Sequence, residues 1–349
     1  MTSTSGTERR AASIDFPTGS WYAVATSTSV GRQPSACRVL GKRVVVYRDS
    51  RGDAVALDDR CCHSSYPLSL GRVEGDDIRC GYSGFVYGPD GAVRSVPTQS
   101  LVPIGAHVHA YPVREQDGLI WVWPGSPGRA ARREIPALGW LTSPDWTTFG
   151  DSWVVEANAT LLQDNFADIT HIAHLDPVAA PPVLSSQTPE IVVTVNELTV
   201  SFSRDYPASA LQPWQAEILE VPADSQHAQR EEGTFLSPGL WVDRWDISVD
   251  GHGEQDGTKT SYFTHAITPI DERTTAHTWR VSRNYTPSAA ATGTMEPVMR
   301  DYYRSVHRAL ETIQRVIDDD GPRRDVTVRA DAAKVAVRKL MRRLAAEEA

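Results

Sequence analysis

The stretch Arg60–Phe85, RCCHSSYPLSLGRVEGDDIRCGYSGF, concentrates the side chains best able to hold a metal. Cys61-x-His63 is followed, after sixteen residues (64–79), by Cys80. Thiolates and imidazoles are the ligands of iron–sulfur and transition-metal sites. The spacing is that of an iron–sulfur ligand loop, with Ser83 where a second imidazole is expected. A serine hydroxyl is neutral near pH 7, shorter than an imidazole and a weak ligand. Cys62 is adjacent to Cys61, so its side chain is expected to point away from the same metal. Two readings stay open: a cluster loop with altered ligands, or ordinary thiols (Cys61, Cys62, Cys80) in a loop that has lost its cluster. A second concentration is QDNFADITHIAHLDP (163–177), with Asp164, Asn165, Asp168, His171, His174 and Asp176. His171 and His174 share a face if the segment is one regular helix; the plainer reading of His174 is a surface or packing histidine. Asp168, His171 and Asp176 are also suited to acid–base work.

The elements that must position these residues follow from periodicity and turn chemistry. WYAVATS, CRVLGKRVVVYRD, DAVALDD and GLIWVWPG read as strands, separated by turns at SRGD, GPDG and EQDG. They predict a small all-β domain over 17–127 with a loop-borne site. The Pro-, Gly- and Arg-rich SPGRAARREIPALGW follows as a linker. The region 136–349 mixes strand patterns (EIVVTVNELTVSFSR, TAHTWRVSRNY) with helical ones. ATLLQDNFADITHIAHLD is expected as one helix ended by Pro177, and EPVMRDYYRSVHRALETIQRVID as another ended by DDDGP. ADAAKVAVRKLMRRLAAEEA reads as a basic amphipathic helix docked on its own domain. Residues 1–16 read as a disordered tail: Arg9-Arg10 is not followed by an apolar export segment.

Composition narrows the class. The chain has 349 residues, 40% of them hydrophobic and 23% charged, enough for two domains and a core. A net charge of −9 argues against nucleic-acid binding. No apolar run has membrane-spanning length. Four cysteines without an export signal suggest thiols or metal ligands in a cytoplasmic setting. Cys37, in a strand-like run, reads as core.

The loop, with its PLSLGRVEGDDIRCGY, and the later YPVREQDGLIWVWPG (111–125) resemble the Rieske domains of non-haem iron aromatic-ring oxygenases of the vanillate O-demethylase and dicamba monooxygenase type. The resemblance runs from about Trp21 to Leu340 and implies an α+β protein: an all-β Rieske-type domain, then a helix-grip catalytic-type domain with C-terminal helices. It makes Cys61, His63 and Cys80 ligands of a [2Fe–2S] cluster, with Ser83 at the fourth position. It makes His171 the first ligand of a mononuclear iron, with Asp176 where the family has its second histidine and Asp301 as the acidic third ligand. His174 is an alternative second imidazole. Asp168 would link the site to a neighbouring subunit's cluster in a homotrimer, and a reductase would supply electrons.

Because Ser83 and Asp176 replace imidazoles at both ends of that relay, the main expectation is a repurposed fold. Its pocket would act on a small organic substrate without redox chemistry, as a cyclase, isomerase or hydrolase, and without bound iron. One alternative is a non-catalytic subunit partnered with an intact paralogue. Another is a working monooxygenase that hydroxylates or O-demethylates a small aromatic, keeping a [2Fe–2S] cluster and Fe(II) on unusual ligands, Cys62 or Ser83 at one centre and His174 or Asp176 at the other. Trp214, Trp241, Trp245 and Trp279 are each either pocket or core residues.

Overall fold

The computed structural model describes residues 16–249, 257–323 and 326–348. The expected tail falls outside them except for Phe16, which is buried in the core. The fold is α+β. Three small antiparallel sheets make the N-terminal part: Tyr22–Thr26 with Leu119–Val122 and Val113–Gln116; Ser35–Val39 with Lys42–Arg48 and Ala54–Asp58; and Arg72–Glu74, Asp77–Arg79, Val86–Tyr87 and Val93–Ser95. The expected turns are present: Gly52, Asp117, Gly118 and Gly91 take positive φ. Cys37 lies half-buried against the core, as a strand residue should.

The C-terminal part is built on one seven-stranded antiparallel sheet. Its order is Thr147–Val155, Thr275–Arg283, Thr258–Pro269, Leu240–Ser248, His227–Ser237, Val200–Ser209, Val192–Val195. Side chains alternate across a strand, so one face of this sheet carries Arg204, Glu231, Asp243, His265 and His277 beside Phe202, Trp241 and Trp279. All of these are buried. The helix Ala289–Asp320 packs over that face and buries Met295, Met299, Tyr302, Tyr303, Val306, His307 and Leu310, spaced three and four apart. Its N-terminus is capped by Ser288, whose Oγ accepts from Ala291 N. The final helix, Ala332–Ala346, buries Val337, Leu340, Met341 and Leu344 against the same body, so its basic face is the solvent side of a docked helix. One apolar core runs through both parts of the chain. Thr268 Oγ1 donates to Ala23 O at 2.7 Å, and Leu40 N to Pro269 O at 2.7 Å, across their junction.

The segment 159–176 departs from the single helix expected. Helix Ala159–Ala167 stops at Asp168, whose backbone is extended (φ −147°, ψ 102°), and short turns follow over Ile169–His171 and Ile172–Leu175. Asp168 ends the helix because its carboxylate has better partners. It accepts from Thr170 N and Oγ1, each at 3.1 Å, and from Arg204 Nη2 at 3.1 Å. His171 and His174 both follow this break, and their environments part them: His171 is half-buried and His174 exposed. No helix among the described residues is long and apolar enough to cross a membrane.

Candidate functional site

Two places collect the singled-out residues, and they are built differently. In the cysteine loop each cysteine opens the same tight turn. Ser65 N donates back to Cys61 O and Cys61 N to Tyr66 O, both at 2.9 Å; Gly84 N donates to Cys80 O at 3.1 Å and Cys80 N to Phe85 O at 2.8 Å. Each turn needs a left-handed residue at its fifth position, supplied by Ser65 (φ 58°) and Gly84 (φ 72°). The twin turns bring Cys61, Cys80 and Ser83 together. Cys61 Sγ lies 3.3 Å from Ser83 Oγ, and Ser83 N points at Cys80 Sγ at 3.5 Å. Both of these thiols are buried. Burial opposes ionisation of Cys61, but hydrogen bonds from Ser83, Tyr87 and the backbone hold its pKa below the ordinary thiol value. Ser83 thus occupies the fourth position and is turned onto a cysteine sulfur. His63 is exposed and stacks on Phe85, with ring centroids 4.9 Å apart. Cys62 is exposed, its Sγ 3.3 Å from Tyr87 Oη.

At the second place the sequence-predicted residues disperse. His171 Nδ1 donates to Asp168 O at 2.8 Å, which leaves Nε2 as the unprotonated nitrogen. Nε2 is buried and has no hydrogen-bond partner, and burial lowers the imidazole's pKa. It is a well-prepared single ligand or proton acceptor. His174 is exposed. Asp176 Oδ1 caps Ala179 N at 3.3 Å. Asp301 is on the outer face of its helix, 71% exposed and paired with Arg304 at 3.1 Å. The inner face at that level carries Met299, Tyr302 and Tyr303, because a helix turns about 100° per residue. Of the remaining pattern residues, Asp164 accepts from Arg338 Nε at 2.9 Å and ties down the final helix.

The donors do not complete either metal set. Among the described residues no three His, Cys, Asp or Glu side chains converge as a group able to hold a metal ion. The cysteine loop offers two gathered thiols, Ser83 and an outward imidazole. The second place offers one imidazole.

The structure adds residues that sequence reasoning did not single out. A pocket opens between the broken helix, the sheet and the long helix, walled by Phe166, Ile169, Ile172, Trp214, Trp245, Phe263, Met295 and Met299. Its polar lining includes Glu231, Asp243, His265, Gln215 and Ser261. Trp214 and Trp245 are therefore wall residues, whereas Trp241 and Trp279 are fully buried core. Arg204 and Glu231 are register neighbours on adjacent strands, and Arg204 Nη1 reaches Glu231 Oε2 at 3.2 Å. Tyr206 Oη donates to the same oxygen at 2.7 Å. Burial nonetheless pushes Glu231 up to about 7 and Asp243 to about 8. Gly233 makes room for Asp243: a Cβ there would lie 2.8 Å from Asp243 Oδ1 and closer still to the Phe202 ring. The signal in the sequence was the alternation of polar and aromatic residues in LWVDRWDIS, SYFTHAITP and TAHTWRVSR, which places charged groups on a buried face.

Comparison with known proteins gives a consistent picture. Residues 20–112 match the model of the Rieske [2Fe–2S] domain, and residues 155–347 that of the vanillate O-demethylase oxygenase C-terminal domain. The chain is 27% identical over 348 residues to a vanillate O-demethylase oxygenase subunit of Pseudomonas sp. strain HR199, covering 95% of this chain and 96% of that protein. It is 41% identical over 157 residues to a putative toluene-4-sulfonate monooxygenase system iron-sulfur subunit of Comamonas testosteroni, but this match spans only 45% of either chain. The fold superposes on dicamba monooxygenase bound to 3,6-dichlorosalicylic acid with a TM-score of 0.87, at 24% identity over 97% of this chain and 99% of that one. These names describe oxygenases and demethylases. They lend no support to the main expectation of a non-redox catalyst, and favour the monooxygenase alternative.

Proposed function

Since the chain belongs to the Rieske-type oxygenase family that includes the vanillate O-demethylase oxygenase subunit, we propose that it is the oxygenase component of a monooxygenase system. It would take up a small aromatic substrate for hydroxylation or O-demethylation, and carry Ser83 and Asp176 in place of two imidazoles. The observation that supports substrate uptake is the aromatic, largely apolar pocket with a few convergent polar groups beside the His171 segment. The reaction class rests on family membership. A [2Fe–2S] cluster would supply electrons one at a time and Fe(II) would activate oxygen, but the donor sets here do not build either centre, so no step is assigned to them.

The chain's own residues have definite work. Phe166, Trp214, Trp245 and Phe263 offer flat apolar surfaces to a ring and exclude water. Burial raises the carboxyl pKa of Glu231 and Asp243, which favours the protonated form that can donate to a substrate oxygen. His171 presents an unprotonated Nε2. On this reading segment 17–127 serves electron entry and 136–349 serves the substrate. A separate reductase is the partner, the homotrimer is the working assembly and the cytoplasm is its setting.

The test is the iron and acid-labile sulfide content of anaerobically purified protein, followed by turnover of methoxy- and sulfonate-substituted aromatics with a reductase and oxygen. Bound iron with oxygen-dependent product supports the proposal. Iron-free protein that yields no product overturns it. One observation favours a second reading, acid–base catalysis without redox chemistry: two carboxyls of raised pKa face one pocket. Product formed from a substrate without reductase, iron or oxygen is its signature.

A further inference from the structure

Three histidines on three elements form a hydrogen-bonded file that runs from the pocket to His307, the least buried of the three. His265 lines the pocket, with Nε2 at 3.5 Å from Asp243 Oδ2, a contact that must shorten before a proton can cross it. His265 Nδ1 is 3.1 Å from His277 Nε2, and His277 Nδ1 is 2.8 Å from His307 Nε2. Both ring-to-ring links join the Nδ1 of one ring to the Nε2 of the next, so one tautomer pattern satisfies the row of rings. His265 and His277 are sealed at 1% and 0% exposure, while His307 retains 8%. From this geometry we propose that Asp243, His265, His277 and His307 form a proton-transfer path between the pocket and solvent. It takes the pocket described above as the reaction chamber and assigns how that chamber exchanges protons once a substrate has closed off water.

The transfer balances at each link. With Asp243 protonated and each ring carrying its proton on Nδ1, the carboxyl O–H breaks as His265 Nε2–H forms. His265 Nδ1–H passes to His277 Nε2, His277 Nδ1–H to His307 Nε2, and His307 Nδ1–H to water. Each ring ends neutral with its proton on Nε2, Asp243 ends as a carboxylate accepting from His265, and one proton has left the pocket. The reverse sequence recharges Asp243.

The surroundings fit such a row. Phe166 stacks on His265 with centroids 3.8 Å apart, and Tyr303 sets its ring edge-on to His265 and His277. Trp153 lies edge-on to His307. The charged and titratable groups nearby are Arg204 and Glu231 on the pocket side and Arg300 and Arg304 around Trp153. Trp241 Nε1 donates to Asp243 Oδ1 at 2.8 Å, which leaves Oδ2 for His265. Burial lowers all three imidazoles, His265 to about 3 and His307 to about 4, so the rings are neutral at pH 7, the form in which a row can pass a proton without storing one. Apolar rings would fill the same space without the cost of desolvating three imidazoles.

The experiment needs neither iron nor turnover, so its outcome is separate from that of the oxygenase reading; the pocket is filled with toluene, a non-reacting apolar ring, because Asp243 itself keeps 8% exposure on the open pocket. The protonated-carboxyl C=O band of the full chain is followed by infrared spectroscopy at pH 6 after rapid dilution into D2O. Asp243→Asn identifies the component due to Asp243. His277→Phe interrupts the row with a ring of similar size, and His307→Phe breaks it at the outer end without disturbing the sheet. Deuterium uptake at Asp243 at least tenfold slower in either folded variant than in the unaltered protein is the expected result. Equal rates in unaltered protein and variants overturn the path, as does a band that Asp243→Asn leaves unchanged.

Discussion

The cysteine loop and the His171 segment each carry a side chain other than the expected imidazole, Ser83 and Asp176, and the two places are built differently. In the loop the donors are held by local backbone turns, and each cysteine is positioned by hydrogen bonds to residues four or five places along. Ser83 sits beside both cysteine sulfurs within that frame. Around His171 the would-be donors come from separate elements. Asp168 breaks the helix, His174 turns to solvent, and the long helix presents Met299 and Tyr302 where a carboxylate would be needed. A locally encoded site gathers its side chains through neighbours in the chain, whereas one assembled by tertiary packing depends on which face each helix presents.

That contrast can be broken most severely at Arg204. Its side chain is fully buried and holds both Asp168 and Glu231. Arg204→Leu is expected to destabilise the fold by about 3–5 kcal/mol, because it leaves the buried Glu231 and the half-buried Asp168 without their cation. Urea unfolding monitored by tryptophan fluorescence reads it, and a loss under 1 kcal/mol would mean that the segment is not held by this ion pair.

Metal content sharpens the comparison directly. Ser83→His restores the missing donor to a pre-gathered site and is expected to raise bound iron and sulfide about tenfold. Asp176→His adds an imidazole where no third donor waits, and is expected to change bound iron less than twofold. The double variant should track Ser83→His. Elemental analysis after anaerobic reconstitution decides, and equal gains at the two positions would dissolve the distinction between local and tertiary assembly.

A smaller effect, per unit of pH, comes from the buried titratable groups of the C-terminal part. Burial favours the neutral form of His265, His277 and His307 in the fold, while the unfolded chain takes up their protons below the ordinary imidazole value of about 6.5. They make stability fall as pH drops from 6.5 toward their folded values. Asp243 and Glu231 act in the opposite sense. They hold protons in the fold that the unfolded chain has released, so stability falls as pH rises through about 7 and 8. Between roughly pH 4.5 and 6.5 these histidines, together with His171, whose imidazole burial also lowers, outweigh the two carboxyls, so stability rises with pH there. Above 6.5 only the carboxyls remain. Stability is therefore expected to peak near pH 6.5, with the alkaline limb flattened in Asp243→Asn. Urea midpoints across pH 5 to 9 test this. A flat profile would show that these groups ionise as they do in water.

The smallest effect belongs to the loop. Tyr87 Oη lies 3.0 Å from Cys61 Sγ and accepts from Cys62 N at 3.1 Å. Tyr87→Phe removes these bonds while the turns persist, and a cost of about 1 kcal/mol is expected in urea unfolding. A loss as large as that of Arg204→Leu would show the loop to be held by side chains after all.

Much of this protein is legible without coordinates. The strands and turns of the N-terminal part, the strand pairs around EIVVTVNELTVSFSR, and the two C-terminal helices follow from alternation, turn residues and helical spacing, because each depends on neighbours in the chain. Cys61, Cys80 and Ser83 converge as their spacing suggested, since a short hairpin joins them. What the chain alone did not decide is which side chain wins among competing partners. Asp168 prefers Arg204 and Thr170 to helix continuity, and that preference exists only because a distant strand brings Arg204 beside it. Asp301 and Met299 are two residues apart, and only the rotation of their helix against the sheet sends one to water and the other to the pocket. The histidine row is likewise a product of register: it takes strands paired so that His265 and His277 meet, and a helix laid across them, to turn scattered imidazoles into neighbours.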